Sequence, residues 1–506
     1  MQARDNVIRG ILLVAKEMML ENNLKFHAVP KISLHKQTSS DKILSEERRV
    51  EDASTSNTMK PKFKDSLVPS TPIQRAIGFG SLFTGLAFGT VAEISRRATG
   101  FSEGSGSSWL SKANADRLAS TLCRMRGAAL KLGQMLSIQD ETVLPPVLAA
   151  ALDKVRAGAD QMPEHQLNSV LTTAFGSKTW RQDFFTVFDE TPIAAASLGQ
   201  VHQAVTKTGN RVVIKVQYPG VAESIESDVS SLRTLAKMTG IFPKGLFIDS
   251  ILDVVGSDLK EECDYLREAG HLKEFRNLLK NDVSFKVPYV VEELTTKSVL
   301  TMEQLTGIPL DKVADLSQAT RDHVGRLLLR LTLRELFEFN YVQTDPNFAN
   351  YLYDVNEKKI CLLDFGATKQ YDKKFVKNYA QLVWAAAERD RESLLKKSVE
   401  IGMLTGKENA EMVEAHVQAG FEIAEPFSRS ITGSYDFSAS NVSLRVARHG
   451  PVFMKHRLVP PPEEIYSLHR KLSGAYMACV KIRAKFPCRD LLQDAVRDLI
   501  VENELF

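Results

Sequence analysis

The sequence predicts an α+β fold in two lobes, a small mixed lobe followed by a larger helical one, and three observations predict it. Short runs rich in β-branched and aromatic residues fall between residues 183 and 303, in the order strands, helix, strands. From Arg321 onward apolar residues take helical spacing, with Leu327, Leu328, Leu331 and Leu336 on one stripe. A loop-and-strand insert at 343–364 interrupts that helical half and carries Asp345, Asn350 and the string Asp364-Phe365-Gly366.

Composition sets outer limits. At 506 residues the chain has room for a core of two or more domains. A formal charge of +3, with no basic run interleaved with aromatics, argues against nucleic acid as a partner. Cys123, Cys263, Cys361, Cys479 and Cys488 are odd in number and scattered without CxxC spacing, so neither a disulfide framework nor a zinc site is indicated. The histidines show no paired ligand spacing.

Five segments follow in order. Residues 1–70 hold an amphipathic stretch at 6–20 and a polar linker. Arg4, Arg9 and Lys16 suit a transit peptide, but Asp5, Glu17 and Glu21 do not. Residues 71–110 contain the uncharged run Ala76–Ala92 and a Gly/Ser-rich linker. About 17 helical residues reach roughly 25 Å, short of a ~30 Å hydrocarbon core. Gly85 and Gly89 form a GxxxG pair, so this run is read as a membrane-associated helix, as a homodimer contact, or as a helix packed inside the protein. Arg75, Arg96 and Arg97 flank it, where lipid head groups would lie. Residues 111–182 begin with a long helix at 113–138, where Lys131 and Gln134 share a face. Residues 183–305 form the small lobe. Its strands are Asp183–Asp189, Val201–Val205 and Arg211–Gln217, its helices Glu223–Met238 and Ile248–Leu279, and its last strands lie near Ser284–Val291 and Ser298–Glu303. After a break at Leu305-Thr306-Gly307, residues 306–506 form the helical lobe.

The chemistry lies in a few residues. Asp345, Asn350 five positions on, and Asp364-Phe365-Gly366 after a short hydrophobic run have the layout of a protein-kinase catalytic and metal-binding loop. Asn350 and Asp364 are the expected Mg2+ ligands and Asp345 the group that orients or deprotonates a phosphate acceptor. Lys215 ends the strand Val212-Val213-Ile214-Lys215, where an ammonium can lie along two phosphates. By itself it would be an ordinary exposed strand-end lysine, and the downstream acids change that balance. Glu268 is the candidate partner for Lys215. The long gap between the two calls for a helical insertion. Glu261, Glu262, Asp264 and Glu268 crowd two turns and repel one another. They form either a solvated acidic face or a cation site. No glycine-rich phosphate loop occurs. Ala194-Ala195-Ala196-Ser197-Leu198-Gly199 stands there, and three alanines remove the backbone freedom glycine would give. Nucleotide would be held instead by backbone amides of Ala194–Ala196 and by the Ser197 hydroxyl. By position, Met302, Glu303, Gln304 and Leu305 are the hinge that meets adenine. Gln343-Thr344 replaces the His-Arg that precedes an ordinary catalytic aspartate, so regulation by activation-loop phosphorylation is not expected. Pro346 fixes the backbone after Asp345. No Walker motif occurs.

Together these residues resemble the UbiB family of atypical kinases, also called aarF-domain kinases. Lys131-Leu132-Gly133-Gln134 matches its KxGQ motif, Ala194–Ser197 its alanine-rich loop, Glu262-Cys263-Asp264 its ExD motif, and Asp345–Asn350 and Asp364–Gly366 its catalytic segments. Pro460-Pro461-Pro462-Glu463-Glu464 and Leu468-His469-Arg470-Lys471 resemble its C-terminal segment, and Gln343-Thr344-Asp345 its eukaryotic mitochondrial branch. The resemblance implies a protein-kinase-like two-lobe fold with a helical N-terminal extension over the nucleotide cleft. Lys131, with Gln134 beside it, would reach in toward Glu262 and Asp264, and the extension would block the surface where peptides bind ordinary kinases. It also implies an ATPase or small-molecule kinase using ATP/ADP and Mg2+. Such a protein would sit at the mitochondrial inner membrane facing the matrix, support coenzyme Q biosynthesis enzymes, and respond to anionic membrane lipid and quinone-like phenolic ligands. The competing readings are a nucleotide-switched pseudokinase scaffold for those enzymes, which the alanine loop favours, and a conventional protein kinase.

Overall fold

The computed structural model describes residues 161–195, 198–239, 247–345 and 347–500, with single positions between 74 and 88 and at 114, 117, 121 and 131. The amphipathic stretch at 6–20, both linkers, Arg96, Arg97, Gly89, Gln134, Ala196, Ser197 and Pro346 lie outside the described residues.

The small lobe opens with α1 (Glu164–Phe175) and α2 (Trp180–Phe184), and α2 runs directly into β1 (Phe185–Phe188). The strand expected from Asp183 therefore starts two residues later. Trp180 is buried and sets its ring edge-on to Phe185 and Phe188, at 6.1 and 4.8 Å. That contact draws residues 180–184 into a helical turn. β2 (Ala194–Ala195), β3 (Gly199–Thr206) and β4 (Arg211–Gln217) follow, with β3 and β4 joined by the expected turn, in which Gly209 has φ 83°.

One helical segment was expected over 248–279, and the structure has two. After α3 (Val221–Thr239), α4 (Ile248–Glu262) stops at Cys263, whose carbonyl accepts from Gln217 Nε2 at 2.8 Å. Asp264 then caps α5 (Tyr265–Leu278), accepting from the N–H groups of Leu266 and Arg267. A carboxylate at this position satisfies amides that the first helical turn leaves unpaired.

The strand expected over 284–291 shrinks to β5 (Phe285–Lys286), because Pro288 has no N–H to give a ladder. β6 (Val299–Glu303) completes an antiparallel sheet of order β1-β3-β4-β6, with β2 also on β3. Alternation along β4 decides what each face meets. Val212, Ile214 and Val216 enter a cluster with Leu82, Leu86, Leu167 and Leu252. Val213 enters the other core with Tyr265, Leu272 and Leu300, and Lys215 shares that face.

The larger lobe begins at β7 (Ile308–Pro309). Gly307 precedes it with φ 153°, and a Cβ there would come within 2.8 Å of the Tyr353 carbonyl. The long helix α6 (Gln318–Phe337) starts three residues before Arg321, capped by Ser317. The insert is built from β8 (Tyr341–Gln343), β9 (Tyr351–Asp354), β10 (Lys359–Leu362) and β11 (Thr368–Gln370). β9 and β10 form a hairpin flanked by β5 and β7, and β11 pairs with β8. Helices α7 (Lys373–Ala387), α8 (Arg391–Ile401) and α9 (Ala410–Ala424) come next, then three short helices at 437–456, α10 (Glu463–Lys481) and α11 (Arg489–Val496).

Candidate functional site

Lys215 and Glu268 come from elements whose periodicity aims them at each other. On α5, Tyr265, Glu268, Leu272 and Phe275, followed by Leu279 at its C-cap, are spaced three and four apart and all are buried, so Glu268 sits on the packing stripe. Lys215 Nζ lies 2.9 Å from both Glu268 oxygens and 3.0 Å from Asp364 Oδ2. It also stands 5.1 Å from the centre of the Tyr265 ring. Burial alone would lower the Lys215 pKa, but the Asp364 and Glu268 carboxylates outweigh it and hold the ammonium well above its ordinary value. Burial pushes Glu268 up to about 7 against the pull of Lys215. Asp364 is 32% exposed. Partial burial works to raise it, but Lys215 and the Gly366 N–H, 3.0 Å from Oδ1, hold it below the usual carboxylate value.

The hairpin explains why Asn350 and Asp364 meet. Register pairs Tyr351 with Leu362, and the Leu363 N–H donates to the Asn350 carbonyl at 3.0 Å, so both residues leave the same end of the hairpin. Asn350 Nδ2 donates to Asp345 Oδ2 at 3.1 Å, which leaves the amide oxygen for a cation. Among the described residues no group of three or more His, Cys, Asp or Glu is placed to cage a metal. One carboxylate and one amide oxygen suit Mg2+, which takes its remaining ligands from water and phosphate. The residues present fit that ion.

The acids in front of the cleft do not act as one group. Glu262 pairs with Lys131 at 2.6 Å, both buried, while Glu261 pairs with Arg267 at 2.8 Å. Burial works to lower the Lys131 pKa, but Glu262 and then Asp345 raise it above its ordinary value, so Lys131 lies within electrostatic reach of the catalytic-position aspartate. Asp264 is a correction. It was expected to face Lys131, but its carboxylate is the α5 cap, because the chain breaks between α4 and α5 at that residue.

Ala194 and Ala195 form β2, registered against Val201 and Gln200. At the hinge, Met302 and Glu303 end β6 opposite Val213 and Val212. The N–H groups of Glu303 and Gln304 are bonded to the Tyr289 and Arg211 carbonyls. Leu305 is buried.

Sequence reasoning passed over several residues. A Cβ at Gly199 would lie 2.3 Å from the Val216 carbonyl and 2.8 Å from the Tyr265 hydroxyl, so only glycine fits there. A glycine inside a strand pattern was the available signal. Arg470, noted only as part of a C-terminal match, donates to the Thr344 carbonyl at 3.1 Å and lies 3.6 Å from Asp258. Lys471 pairs with Glu335 at 3.0 Å and donates to the Tyr351 hydroxyl at 3.2 Å, with both ion-pair partners buried. α10 thus braces the strands on both sides of Asp345. Only tertiary contact shows this.

Arg75 is a second correction. It is not at a lipid-facing position but 1% exposed, bonded through Nε and Nη2 to Asp228 of α3, with Nε 2.9 Å from Oδ1. Gly85 packs on Arg117 of the same chain, which donates to its carbonyl at 3.3 Å. Among the described residues no helix is long and apolar enough to cross a membrane.

Comparison with known proteins places this geometry among relatives. The ABC1 atypical kinase-like domain matches residues 154–398. The chain is 47% identical over 454 residues to a Rattus norvegicus protein named atypical kinase COQ8B, mitochondrial, covering 88% of this chain and 85% of the relative. It is 46% identical over 448 residues to the Schizosaccharomyces pombe protein named atypical kinase COQ8, mitochondrial (88% and 73%). It is 41% identical over 488 residues to the Saccharomyces cerevisiae protein of the same name (96% and 97%). Among solved structures, the Rv3197–erythromycin complex from Mycobacterium tuberculosis superposes with a TM-score of 0.52 at 21% identity, covering 73% of this chain and 92% of that one. The fold is protein-kinase-like.

Proposed function

We propose, from the premise that the chain belongs to the UbiB family of atypical kinases, that it binds magnesium–ATP and uses it to support coenzyme Q biosynthesis in mitochondria, by ATP hydrolysis or small-molecule phosphoryl transfer. The observation that carries this is Lys215 held between Glu268 and Asp364. Three ionisable groups from separate elements meet in one cleft, an ammonium held between two carboxylates. Mitochondrial placement rests on the names of the relatives, and the coenzyme Q role on the family resemblance.

In this reading Lys215 lies along the phosphates and Glu268 keeps it there. Asn350 and Asp364 hold Mg2+, which neutralises charge that develops on the transferring group. Leu305, whose N–H meets no backbone carbonyl among the described residues, is the hinge donor for the purine. Asp345 accepts the proton as the oxygen of water or of a small hydroxyl compound attacks the terminal phosphorus. The bond to the bridging oxygen breaks and ADP departs. The family resemblance, in which the helical extension covers the peptide-binding surface, favours a small acceptor, and the buried Lys131–Glu262 pair ties that extension to α4. Coenzyme Q enzymes, anionic lipid and quinone-like phenols are the partners this function calls for.

The test uses full-length protein. The parent should gain thermal stability from ADP with magnesium, and Asp364→Asn should abolish the magnesium-dependent part. Asp345→Asn should bind nucleotide as the parent does but lose ATP turnover by about 100-fold or more. Equal magnesium–ADP shifts in the parent and in Asp364→Asn would sink the site.

A further inference from the structure

Three consecutive carbonyls after Phe365 are each bonded from outside their own segment. Arg267 donates from Nη1 to the Gly366 carbonyl at 3.3 Å and from Nη2 to the Thr368 carbonyl at 3.0 Å. Between them, the Ala367 carbonyl accepts both the Thr344 N–H, at 3.0 Å, and the Thr344 hydroxyl, at 2.8 Å. The loop that carries Asp364 is therefore gripped by α5 on one side and by the residue before Asp345 on the other.

Arg267 and Glu268 are consecutive on α5, so one turn of helix sets both the lysine and the metal loop. Glu268 fixes Lys215, and Arg267 fixes the carbonyl of Gly366, the residue whose N–H holds Asp364 Oδ1. Gly366 lies close under this arrangement, since a Cβ there would stand 3.3 Å from Glu268 Oε2 and 3.4 Å from Asp364 Oδ1. A guanidinium reaches two carbonyls at once because its donors form a rigid fork, whereas an ammonium is a single point of charge.

We propose that Arg267 is a positioning residue that holds the Asp364 loop in its metal-binding geometry permanently, doing by a built-in contact what other kinase-like proteins do by ordering this segment reversibly. This rests on the magnesium–ATP reading of the site. Arg267 acts through Gly366 and Asp364, so its effect belongs to the magnesium-dependent part of nucleotide affinity.

The experiment compares full-length parent, Arg267→Met, Arg267→Lys and Glu261→Gln. Methionine keeps the apolar stem and removes the donors. Glu261→Gln loses the neighbouring ion pair but retains both carbonyl bonds. ADP affinity is measured with and without magnesium, and amide hydrogen exchange is followed over residues 364–371 without nucleotide. Arg267→Met should lose roughly tenfold in magnesium–ADP affinity, the scale of one charge-assisted contact pair. Its metal-free ADP affinity should stay at the parent value and exchange over 364–371 should rise. Arg267→Lys should fall between, and Glu261→Gln should match the parent. Equal losses with and without magnesium, or unchanged exchange over 364–371, would overturn the assignment. A parent with no magnesium increment would overturn the proposed function instead, and the exchange result would still decide whether Arg267 holds the loop.

Discussion

Residue type and spacing made the centre of the site legible before any fold was known. Lys215, Asn350 and Asp364 were picked out because a kinase-type site would need those groups at those intervals, and the structure brings Lys215 and Asp364 together. Glu268 was readable as an acid on the strongly helical segment that follows the strands. Asp264 was misread because a carboxylate beside other acids looks the same in sequence whether it binds a cation or caps a helix. The electrostatics of single buried groups was not legible at all. His416 is an example, buried with Nε2 2.8 Å from the Ser398 hydroxyl, which itself donates to the Leu394 carbonyl. Burial, with the Arg457 charge adding to it, lowers its pKa to about 4. Its folded value is depressed below the unfolded one, so stability is fully present above pH ~6.5 and is lost as pH falls toward 4. Each pH unit in that window should cost about 1.4 kcal/mol from this group. Urea titrations from pH 7 to 4.5 should show a steeper fall for the parent than for His416→Gln. Parallel curves would refute the assignment.

At the scale of elements, strands and helices were read nearly where they lie, and boundaries failed where a tertiary contact decided them. β1 starts late because Trp180 packs edge-on to it, and the 248–279 helix divides because Gln217 and Asp264 take over backbone groups at the joint. That joint orients α5, and with it Arg267 and Glu268. Asp264→Ala should destabilise the protein by about 1 kcal/mol through loss of the cap. It should also raise hydrogen exchange in the first turn of α5, while α6 keeps its protection. A variant as stable as the parent would show that the cap contributes nothing. The brace from α10 to the Asp345 strands had no sequence counterpart, since Arg470 and Thr344 are 126 positions apart.

For the whole molecule, the described positions between 74 and 88 belong to the small lobe's core. Leu82 and Leu86 share a cluster with Ile214, Leu252 and Val299, and Arg75 reaches the buried Asp228. Burial pushes the Asp228 pKa up, and the Arg75 guanidinium works against it. Removing one partner strands the other, so Asp228→Ala should cost about 3–5 kcal/mol. The double variant Arg75→Met/Asp228→Leu should recover most of that loss in chemical denaturation. If the single variant costs no more than the double, the pair is not a unit. The 153-residue separation of Arg75 and Asp228 has a further consequence in time. At about 5–20 residues per second, a ribosome delivers the aspartate roughly 8–30 s after the arginine. The ion pair that buries Arg75 therefore forms only after α3 has been made.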